Sequence, residues 1–251
     1  MSLDEVRARL DAALVALDFD GTLAPIVARP QDARPAPGTV ETLTALARRV
    51  RRLAVVTGRP AATAVELGGL AAIPGLVVVG HYGLERWAAG ELTSPPVAPG
   101  IALVRRDLPP LPDGATVEDK SHSIVVHTRR TADPAGDLAA LEAPLGALAA
   151  RAELELVGGR YVWELRPPGI DKGAALRSLA IDAHPGAVLV AGDDLGDLPL
   201  FEAAAGLGVP AARVAVLGAD ADPRVAAAAD LTVEGPAALL SLLAGLVSSQ
   251  S

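Results

Sequence analysis

The sequence predicts an α/β fold: a doubly wound parallel sheet with a second, α+β domain inserted into it. In the first and last parts of the chain, continuous apolar runs alternate with helical patterns, which is typical of parallel strands buried on both faces. The middle of the chain has strands in which polar and apolar residues alternate, as in an antiparallel sheet with one wet face. A chain of 251 residues is long enough for both parts.

The core strands are predicted from four apolar runs, at residues 14–19, 53–57, 76–80 and 187–192. Helical patterns lie between these runs, at about residues 38–50, 60–69 and 172–182. Because a helix connects successive strands, the strands are expected to lie parallel in one sheet of the Rossmann-like type.

The middle segment is predicted to be a separate cap of four half-polar strands, with the sequences ATVEDK, SIVVHTR, AELELV and RYVWELR, and one helix near residues 134–150. The proline-rich stretches SPPVAPG and RPPG bracket it, as linkers often do. We therefore expect a first part of the core at residues 1–97, the cap at 98–167 and a second part of the core at 168–251.

Composition excludes several kinds of function. The chain has no cysteine, so a thiol nucleophile, a thiolate metal site and a disulfide are impossible. Its formal net charge of −8 argues against nucleic acid or an anionic membrane surface as a partner. The N-terminal MSLDEVRARL is not an apolar signal segment, and no apolar run is long enough for a membrane span. A cytoplasmic location is the expectation.

Two carboxylates follow the first core strand, in the sequence LVALDFDGT. Residues i and i+2 at a strand end point the same way, so Asp18 and Asp20 are expected to face one point, where a cation or a shared proton must relieve their repulsion. Asp-Gly is also a common turn sequence, which is the plain alternative. A calcium loop is excluded, because Leu23 and Arg29 stand where it needs glycine and glutamate.

Other strand ends carry polar residues of complementary chemistry. Thr57, Gly58 and Arg59 follow the second strand, and three aspartates follow a later one, in VAGDDLGD. Lys172 begins a helix before that strand, and it is one of only two lysines beside 20 arginines, so a compact ammonium is expected to be needed there. Ligands of open parallel sheets bind at the carboxyl ends of the strands, and this inventory suits Mg²⁺ and a phosphoryl group.

The order of these motifs resembles that of the haloacid dehalogenase (HAD) superfamily: D-x-D-G-T, a strand-end threonine, a lysine and G-D-D-x-x-D. The resemblance covers the whole core. It implies that Asp18 is a nucleophile that forms an aspartyl-phosphate and that Asp20 acts as general acid and then general base. It also implies that Thr57 and Lys172 hold phosphoryl oxygens. A carboxylate at Asp20 favours a phosphatase or phosphomutase, since transport ATPases of the superfamily have threonine there.

The same resemblance implies a magnesium site. Mg²⁺ would be held by Asp18, by the backbone carbonyl of Asp20 and by Asp193, with Asp197 supporting these ligands. Whether Asp194 or Asp197 contacts the metal directly is left open by the sequence.

Three further segments, GHYGLE, VEDKSHSIVVHTR and YVWELRPPGIDKGAAL, resemble the trehalose-6-phosphate phosphatase family. In that family the cap recognises the sugar, which implies that Glu118, Lys120 and Glu164 bind glucose hydroxyls. Arg59 and His81 would line the core side of the pocket. The chain departs from the family pattern G-D-D-x-T-D-E at Gly196 and Leu198, in the loop beside the metal carboxylates.

The alternative for Glu118 and Lys120 is a solvated pair on an open sheet, although their alternation on one strand face makes joint contact with a ligand plausible. His122, His127 and His184 are assigned structural roles, and Trp163 is expected to pack under the cap sheet on the side opposite Glu164.

The sequence thus predicts a Mg²⁺-dependent phosphatase whose partner is a small sugar phosphate, trehalose 6-phosphate. Two alternatives remain. One is the same chemistry on another sugar phosphate, such as sucrose phosphate or mannosyl-3-phosphoglycerate. The other is a sugar-phosphate sensor without catalysis, against which the intact Asp18, Asp20, Lys172 and Asp193 argue. The oligomeric state does not follow from the sequence.

Overall fold

The structure is a computed structural model that describes residues 3–159, 161–219 and 221–248. The chain divides into two compact units. One consists of Met1–Ser94 together with Asp171–Ser251, and the other of Pro95–Ile170. The second unit is therefore a few residues longer at each end than the predicted cap, residues 98–167.

The secondary structure follows the chain in three stretches. The first contains α1 (Leu3–Arg7), β1 (Ala13–Leu17), α2 (Thr39–Ala47), β2 (Arg52–Val56), α3 (Ala61–Gly68), β3 (Val77–Gly80), β4 (Glu85–Ala88) and β5 (Glu91–Thr93). The inserted stretch contains α4 (Pro99–Asp107), β6 (Thr116–Asp119), β7 (Ile124–His127), α5 (Pro134–Arg151), β8 (Glu155–Gly159) and β9 (Val162–Arg166). The last contains α6 (Lys172–Ala183), β10 (Ala187–Gly192), α7 (Leu198–Gly206), β11 (Ala211–Leu217), α8 (Pro223–Ala228), β12 (Leu231–Glu234) and α9 (Gly235–Ser248).

The first unit is built on an eight-stranded sheet with the strand order β12-β11-β10-β1-β2-β3-β4-β5. The strands from β12 to β3 are parallel, whereas β4 and β5 form an antiparallel extension. The chain runs from β1 outward to β3, and from β10 outward to β12 in the opposite direction. The topological switch point, where such sheets bind ligands, therefore lies between β1 and β10.

Both faces of this sheet are covered by helices, which is why its central strands are apolar throughout. Val15 and Leu17 of β1 belong to a buried cluster with side chains of α2 and α9. The alternate residues Leu14 and Ala16 belong to a second cluster with α6 and α7. Because β1 is fully buried on both sides, its carboxyl end is a rigid support for the residues that follow it.

The inserted unit is a four-stranded antiparallel sheet with the order β6-β7-β9-β8. Ile124, Val126 and Leu165 face the apolar side, where they form a buried cluster with side chains of α4 and α5. The register pairs Glu118 with Val125 and Val125 with Glu164. Since side chains alternate along a strand, these three lie together on the face opposite α4 and α5.

The predicted fold class is confirmed: an α/β unit with a mostly parallel sheet and an inserted unit with a separate antiparallel sheet. Several elements lay outside the sequence prediction, among them the β4–β5 extension and the elements after residue 197. Within the described part of the chain, none of the helices has the length and apolarity that a membrane span requires. The cytoplasmic location stays a prediction.

Candidate active site

The polar residues that follow the core strands lie at the switch point of the first unit. Asp18 comes directly after β1, Asp193 directly after β10, and Thr57 directly after β2. Strand β1 pairs with β10 on one side and with β2 on the other. Because all three strands are parallel, their carboxyl ends bring these residues to one edge of the sheet.

Lys172 is the centre of a buried ionic cluster. Its Nζ lies 2.6 Å from Asp18 Oδ1 and 2.7 Å from Asp197 Oδ1, and all three side chains are buried. Lys172 is the first residue of α6, and the side chain of Asp171 caps that helix by accepting the N–H of Ala174. The helix cap thus fixes the backbone from which the ammonium reaches the two carboxylates.

Asp197 supports this cluster with both of its oxygens. Oδ1 accepts from Lys172, whereas Oδ2 accepts the backbone N–H groups of Asp193 at 2.9 Å and Asp194 at 3.2 Å. A fully buried carboxylate needs such donors to offset its lost hydration. Asp197 therefore holds the backbone of the loop after β10 at Asp193 and Asp194.

Asp18, Asp193 and Asp197 can each offer one oxygen such that all three lie within 4.8 Å of one another. The Thr22 hydroxyl donates to Asp193 Oδ1 at 3.2 Å. The backbone passes close to this carboxylate at Gly21, which has φ +79°, and a Cβ there would collide with the Asp193 side chain. A glycine is required at this position for both reasons.

The electrostatics of the cluster follow from its burial. Burial raises the pKa of Asp18 well above its usual range; Lys172 opposes this shift and the neighbouring carboxylates reinforce it. Burial also raises the pKa of Asp193 to about 7, and the charges of Asp197 and Asp194 add to that effect. Burial alone would lower the pKa of Lys172, but Asp18 and Asp197 leave it raised. Several carboxylates share one ammonium here, a charge distribution that a bound cation would stabilise.

The carboxylate of Asp20 has a different partner. It forms a two-point ion pair with Arg59, in which both N···O distances are 2.6 Å. The guanidinium also lies 5.7 Å from the centroid of the Phe19 ring. Asp20 is about one third exposed, whereas Asp18 is buried. The two aspartates therefore lie in two different environments, although only Phe19 separates them in the chain.

Thr57 and His81 are both buried beside this site. The Thr57 hydroxyl oxygen accepts the N–H of Arg59 at 3.1 Å. The backbone N–H of His81 donates to the Arg59 carbonyl at 2.9 Å. His81 Nε2 lies 3.6 Å from Glu85 Oε1. Thr57, Arg59 and His81 thus belong to one hydrogen-bonded group in the first unit.

The residues predicted to bind a sugar lie together in the inserted unit. Glu164 is buried, and its Oε1 accepts the Ser123 hydroxyl at 2.6 Å and lies 3.8 Å from Lys120 Nζ. Glu118 is half exposed and its Oε2 lies 3.0 Å from His127 Nε2. The indole of Trp163 donates to the Leu138 carbonyl on the helix side of the sheet, opposite Glu164, as predicted.

Ser123, His127 and Glu85 make contacts at these sites that were not predicted from the sequence. Alternation offers a signal for two of them, since Ser123 and His127 are two residues either side of Val125, which lies on the face of Glu118 and Glu164. Nothing in the local sequence indicates the partner of Glu85.

Comparisons with known proteins identify the family that this chain matches. The model of the family described as trehalose-phosphatase matches residues 16–216 of the chain. A trehalose-phosphate phosphatase of Mycobacterium leprae is 34% identical over 220 residues, which cover 80% of this chain and 49% of that protein. The chain thus spans about half the length of this relative.

Solved structures show the same fold. The Aspergillus fumigatus trehalose-6-phosphate phosphatase is 25% identical and superposes with a TM-score of 0.66, covering 99% of each chain. A haloacid dehalogenase-like hydrolase from Bacteroides thetaiotaomicron, at 19% identity, superposes with a TM-score of 0.64 over 92% of this chain and 97% of that chain. The family model spans most of the sequence, including Asp18, Lys172 and Asp197 of the buried ionic cluster. This chain therefore belongs to the trehalose-phosphatase family.

Proposed function

We propose that this chain is a Mg²⁺-dependent phosphatase that hydrolyses trehalose 6-phosphate to trehalose and phosphate. The observation that carries the proposal is the Asp18 carboxylate, buried at the switch point and paired with Lys172. A nucleophilic carboxylate must be ionised; burial raises the pKa of Asp18, and the Lys172 ammonium at 2.6 Å opposes that shift. Family membership supports the choice of substrate.

In the first step, Asp18 attacks the phosphorus of the ester. Lys172 engages Oδ1, so we assign the attack to Oδ2. A bond forms between Oδ2 and phosphorus as the bond from phosphorus to the sugar oxygen breaks, and an aspartyl-phosphate results. Lys172 and the Thr57 hydroxyl stabilise the negative charge on the transferred phosphoryl oxygens.

Asp20 is assigned the proton transfers. It gives its proton to the departing sugar oxygen, and in the second step it accepts a proton from the water that attacks the phosphorus. That second attack releases phosphate and regenerates the Asp18 carboxylate. Arg59 holds both oxygens of Asp20. We therefore propose that, when substrate binds, at least one N–H of Arg59 donates a hydrogen bond to the substrate phosphoryl group and no longer to Asp20. The planar guanidinium matches the spacing of phosphoryl oxygens well.

The residues fit a magnesium ion. Mg²⁺ prefers oxygen ligands and binds through one or two carboxylates together with phosphate oxygens and water. Asp18, Asp193 and the backbone carbonyl of Asp20 would hold it, while both oxygens of Asp197 are engaged by Lys172 and the loop N–H groups. When bound, the ion supplies positive charge to the transferring phosphoryl group.

Sugar recognition is assigned to the face of the inserted sheet opposite α4 and α5. Sugar hydroxyls exchange hydrogen bonds with water almost as readily as with protein, so a site needs fixed donors and acceptors. Glu164 is fixed by Ser123 and stands beside Lys120, and Glu118 is fixed by His127. These contacts support an oriented polar surface over a loosely solvated pair.

The test is a phosphate-release assay with MgCl₂ and a panel of esters: trehalose 6-phosphate, sucrose 6-phosphate, mannosyl-3-phosphoglycerate, glucose 6-phosphate and p-nitrophenyl phosphate. We expect trehalose 6-phosphate to have the highest kcat/KM. Asp18→Asn prepared in parallel reports contaminating phosphatase. A higher value for another sugar phosphate would reassign the substrate, and no release from any ester would support a sensor without catalysis.

A further inference from the structure

We propose that Glu85 is a positioning residue that fixes the 57–61 loop, the segment of residues 57–61 that carries Thr57 and Arg59. The inference rests on the proposed function of those two residues in phosphate chemistry. Glu85 is the first residue of β4, and the proposed function gives it no contact with the substrate. We infer its role from the hydrogen bonds between the 57–61 loop and residues 80–85, a segment that we call the 80–85 turn.

Glu85 is a buried carboxylate with a defined partner. Its side chain is 10% exposed, and Oε2 accepts the backbone N–H of Ala61 at 2.7 Å. Ala61 is the first residue of α3, so this N–H has no acceptor within the helix. The carboxylate therefore satisfies a helix donor at the end of the loop, and the partial positive charge of the helix N-terminus stabilises it.

Backbone hydrogen bonds join the rest of the loop to β3 and to the 80–85 turn. The N–H of Thr57 donates to the Val79 carbonyl at 2.9 Å, and the Thr57 carbonyl accepts from Tyr82 at 3.0 Å. The Arg59 carbonyl accepts from His81 at 2.9 Å. Glu85 adds the side-chain bond at Ala61, so the loop is held from its first residue to its last.

The backbone of the 80–85 turn has an unfavourable conformation where it makes these hydrogen bonds. His81 and Tyr82 have φ values of 47° and 57°, in the left-handed region that residues with side chains rarely adopt. A Cβ at Gly80 would collide with the Ala61 backbone, and one at Gly58 would meet the Tyr82 ring at 2.5 Å. Such a conformation persists only when its surroundings enforce it, and the Glu85 carboxylate bridges the two segments at this point.

Glu85 would affect catalysis through the position of Thr57 and Arg59. Thr57 and Arg59 must hold a phosphoryl group in line with Asp18, and a displacement of about 1 Å in such a group can lower the rate on the order of 100-fold. Loss of the bond at Ala61 frees the end of the loop and the adjoining Arg59. Because the proposed function assigns Thr57 and Arg59 to the phosphoryl group that all these esters share, every phosphate ester should be affected to a similar extent.

The experiment compares Glu85→Ala with Glu85→Gln, whose carbonyl oxygen can still accept from Ala61. Glu66→Ala, at an exposed glutamate on α3 itself, is the matched control. Hydrogen exchange of the peptide that contains residues 57–61 reports the loop directly, and phosphate release from trehalose 6-phosphate and p-nitrophenyl phosphate reports function. Both are measured well below the melting temperature of each variant, so that unfolding does not contribute.

We expect Glu85→Ala to accelerate exchange in the loop peptide and to lower kcat/KM about 10- to 100-fold on both esters by the same factor. Glu85→Gln should stay within about 3-fold of wild type, since it keeps the acceptor, and Glu66→Ala should match wild type. Unchanged exchange in Glu85→Ala, or faster exchange with unchanged kinetics, would overturn the inference. If wild type releases no phosphate but exchange rises in Glu85→Ala alone, the loop assignment holds and the proposed function fails.

Discussion

The ammonium of Lys172 lies 2.6 Å from Asp18 Oδ1, and both side chains are buried. The same ammonium lies 2.7 Å from Asp197 Oδ1. One compact cation thus compensates two carboxylates from different parts of the chain. Removal of one partner from a buried ion pair leaves an uncompensated charge, which is strongly destabilising.

Lys172→Arg is expected to lose at least about 100-fold in kcat/KM, because a planar guanidinium does not fit the space that an ammonium fills between two carboxylates. Lys172→Met should also lower the free energy of unfolding by about 3–5 kcal/mol, since Asp18 and Asp197 lose their cation. Chemical denaturation and phosphate release check both effects. Arg177→Lys, on the exposed side of α6, is the control and should change neither quantity. Near-normal activity in Lys172→Arg would show that the site needs only a positive charge.

Asp18→Asn is expected to abolish phosphate release from every ester, with a loss on the order of 10⁴-fold or more, because an amide is not a nucleophile toward phosphorus. The fold should be retained, as circular dichroism and thermal melting can show. Asp11→Asn, at an exposed aspartate before β1, should retain full activity. If Asp18→Asn kept more than a few per cent, the covalent route would be the wrong one.

Removal of divalent metal is expected to stop turnover, and added Mg²⁺ should restore it. Hard oxygen ligands such as Asp18 and Asp193 favour this ion. Ca²⁺ should inhibit, since its larger and looser coordination sphere would disturb the in-line geometry. The measurement is phosphate release after dialysis against EDTA, followed by titration of each metal. Full activity in EDTA would exclude a metal-dependent mechanism.

Glu164→Ala and Lys120→Ala are expected to separate sugar recognition from phosphate chemistry. A site built to bond a hydroxyl leaves a partner unpaired when one side is removed, so kcat/KM for trehalose 6-phosphate should fall about 10- to 1,000-fold, or about 1–4 kcal/mol. Activity on p-nitrophenyl phosphate, which has no sugar, should change far less. Equal losses on both esters would indicate a structural role, and no loss on the sugar ester would move recognition elsewhere.

Ser123→Ala is expected to lower kcat/KM for trehalose 6-phosphate about 3- to 10-fold, because the buried Glu164 carboxylate loses the hydroxyl that orients it. Ser123→Thr keeps a hydroxyl and should recover part of the loss. Ser178→Ala, at an exposed serine of α6, is the control. The two-substrate assay decides: an effect confined to the sugar ester supports orientation of Glu164, whereas an unchanged sugar ester contradicts it.

Local pattern was enough to predict which residues of the core come together. Apolar runs that end in Asp18, Thr57 and Asp193 indicate parallel strands, and parallel strands bring their carboxyl ends to one edge whatever the details of packing. The same period-two rule puts Glu118 and Lys120 on one strand face, whereas the register that brings Glu164 to the face of Glu118 came from the structure.

The partner of each side chain was decided only by the tertiary structure. From the sequence, the carboxylates of Asp18 and Asp20 are expected to face one point. In the structure, the Asp20 carboxylate is instead held by Arg59, 39 positions away in the chain. Glu85 reaches Ala61 because β4 turns back beside β3. The left-handed backbone of the turn between these strands falls on His81 and Tyr82, residue types that do not predict such a conformation. Sequence period determines the face on which a side chain lies, but its distance to a partner depends on crossovers, register and strained turns, which only the packed chain fixes.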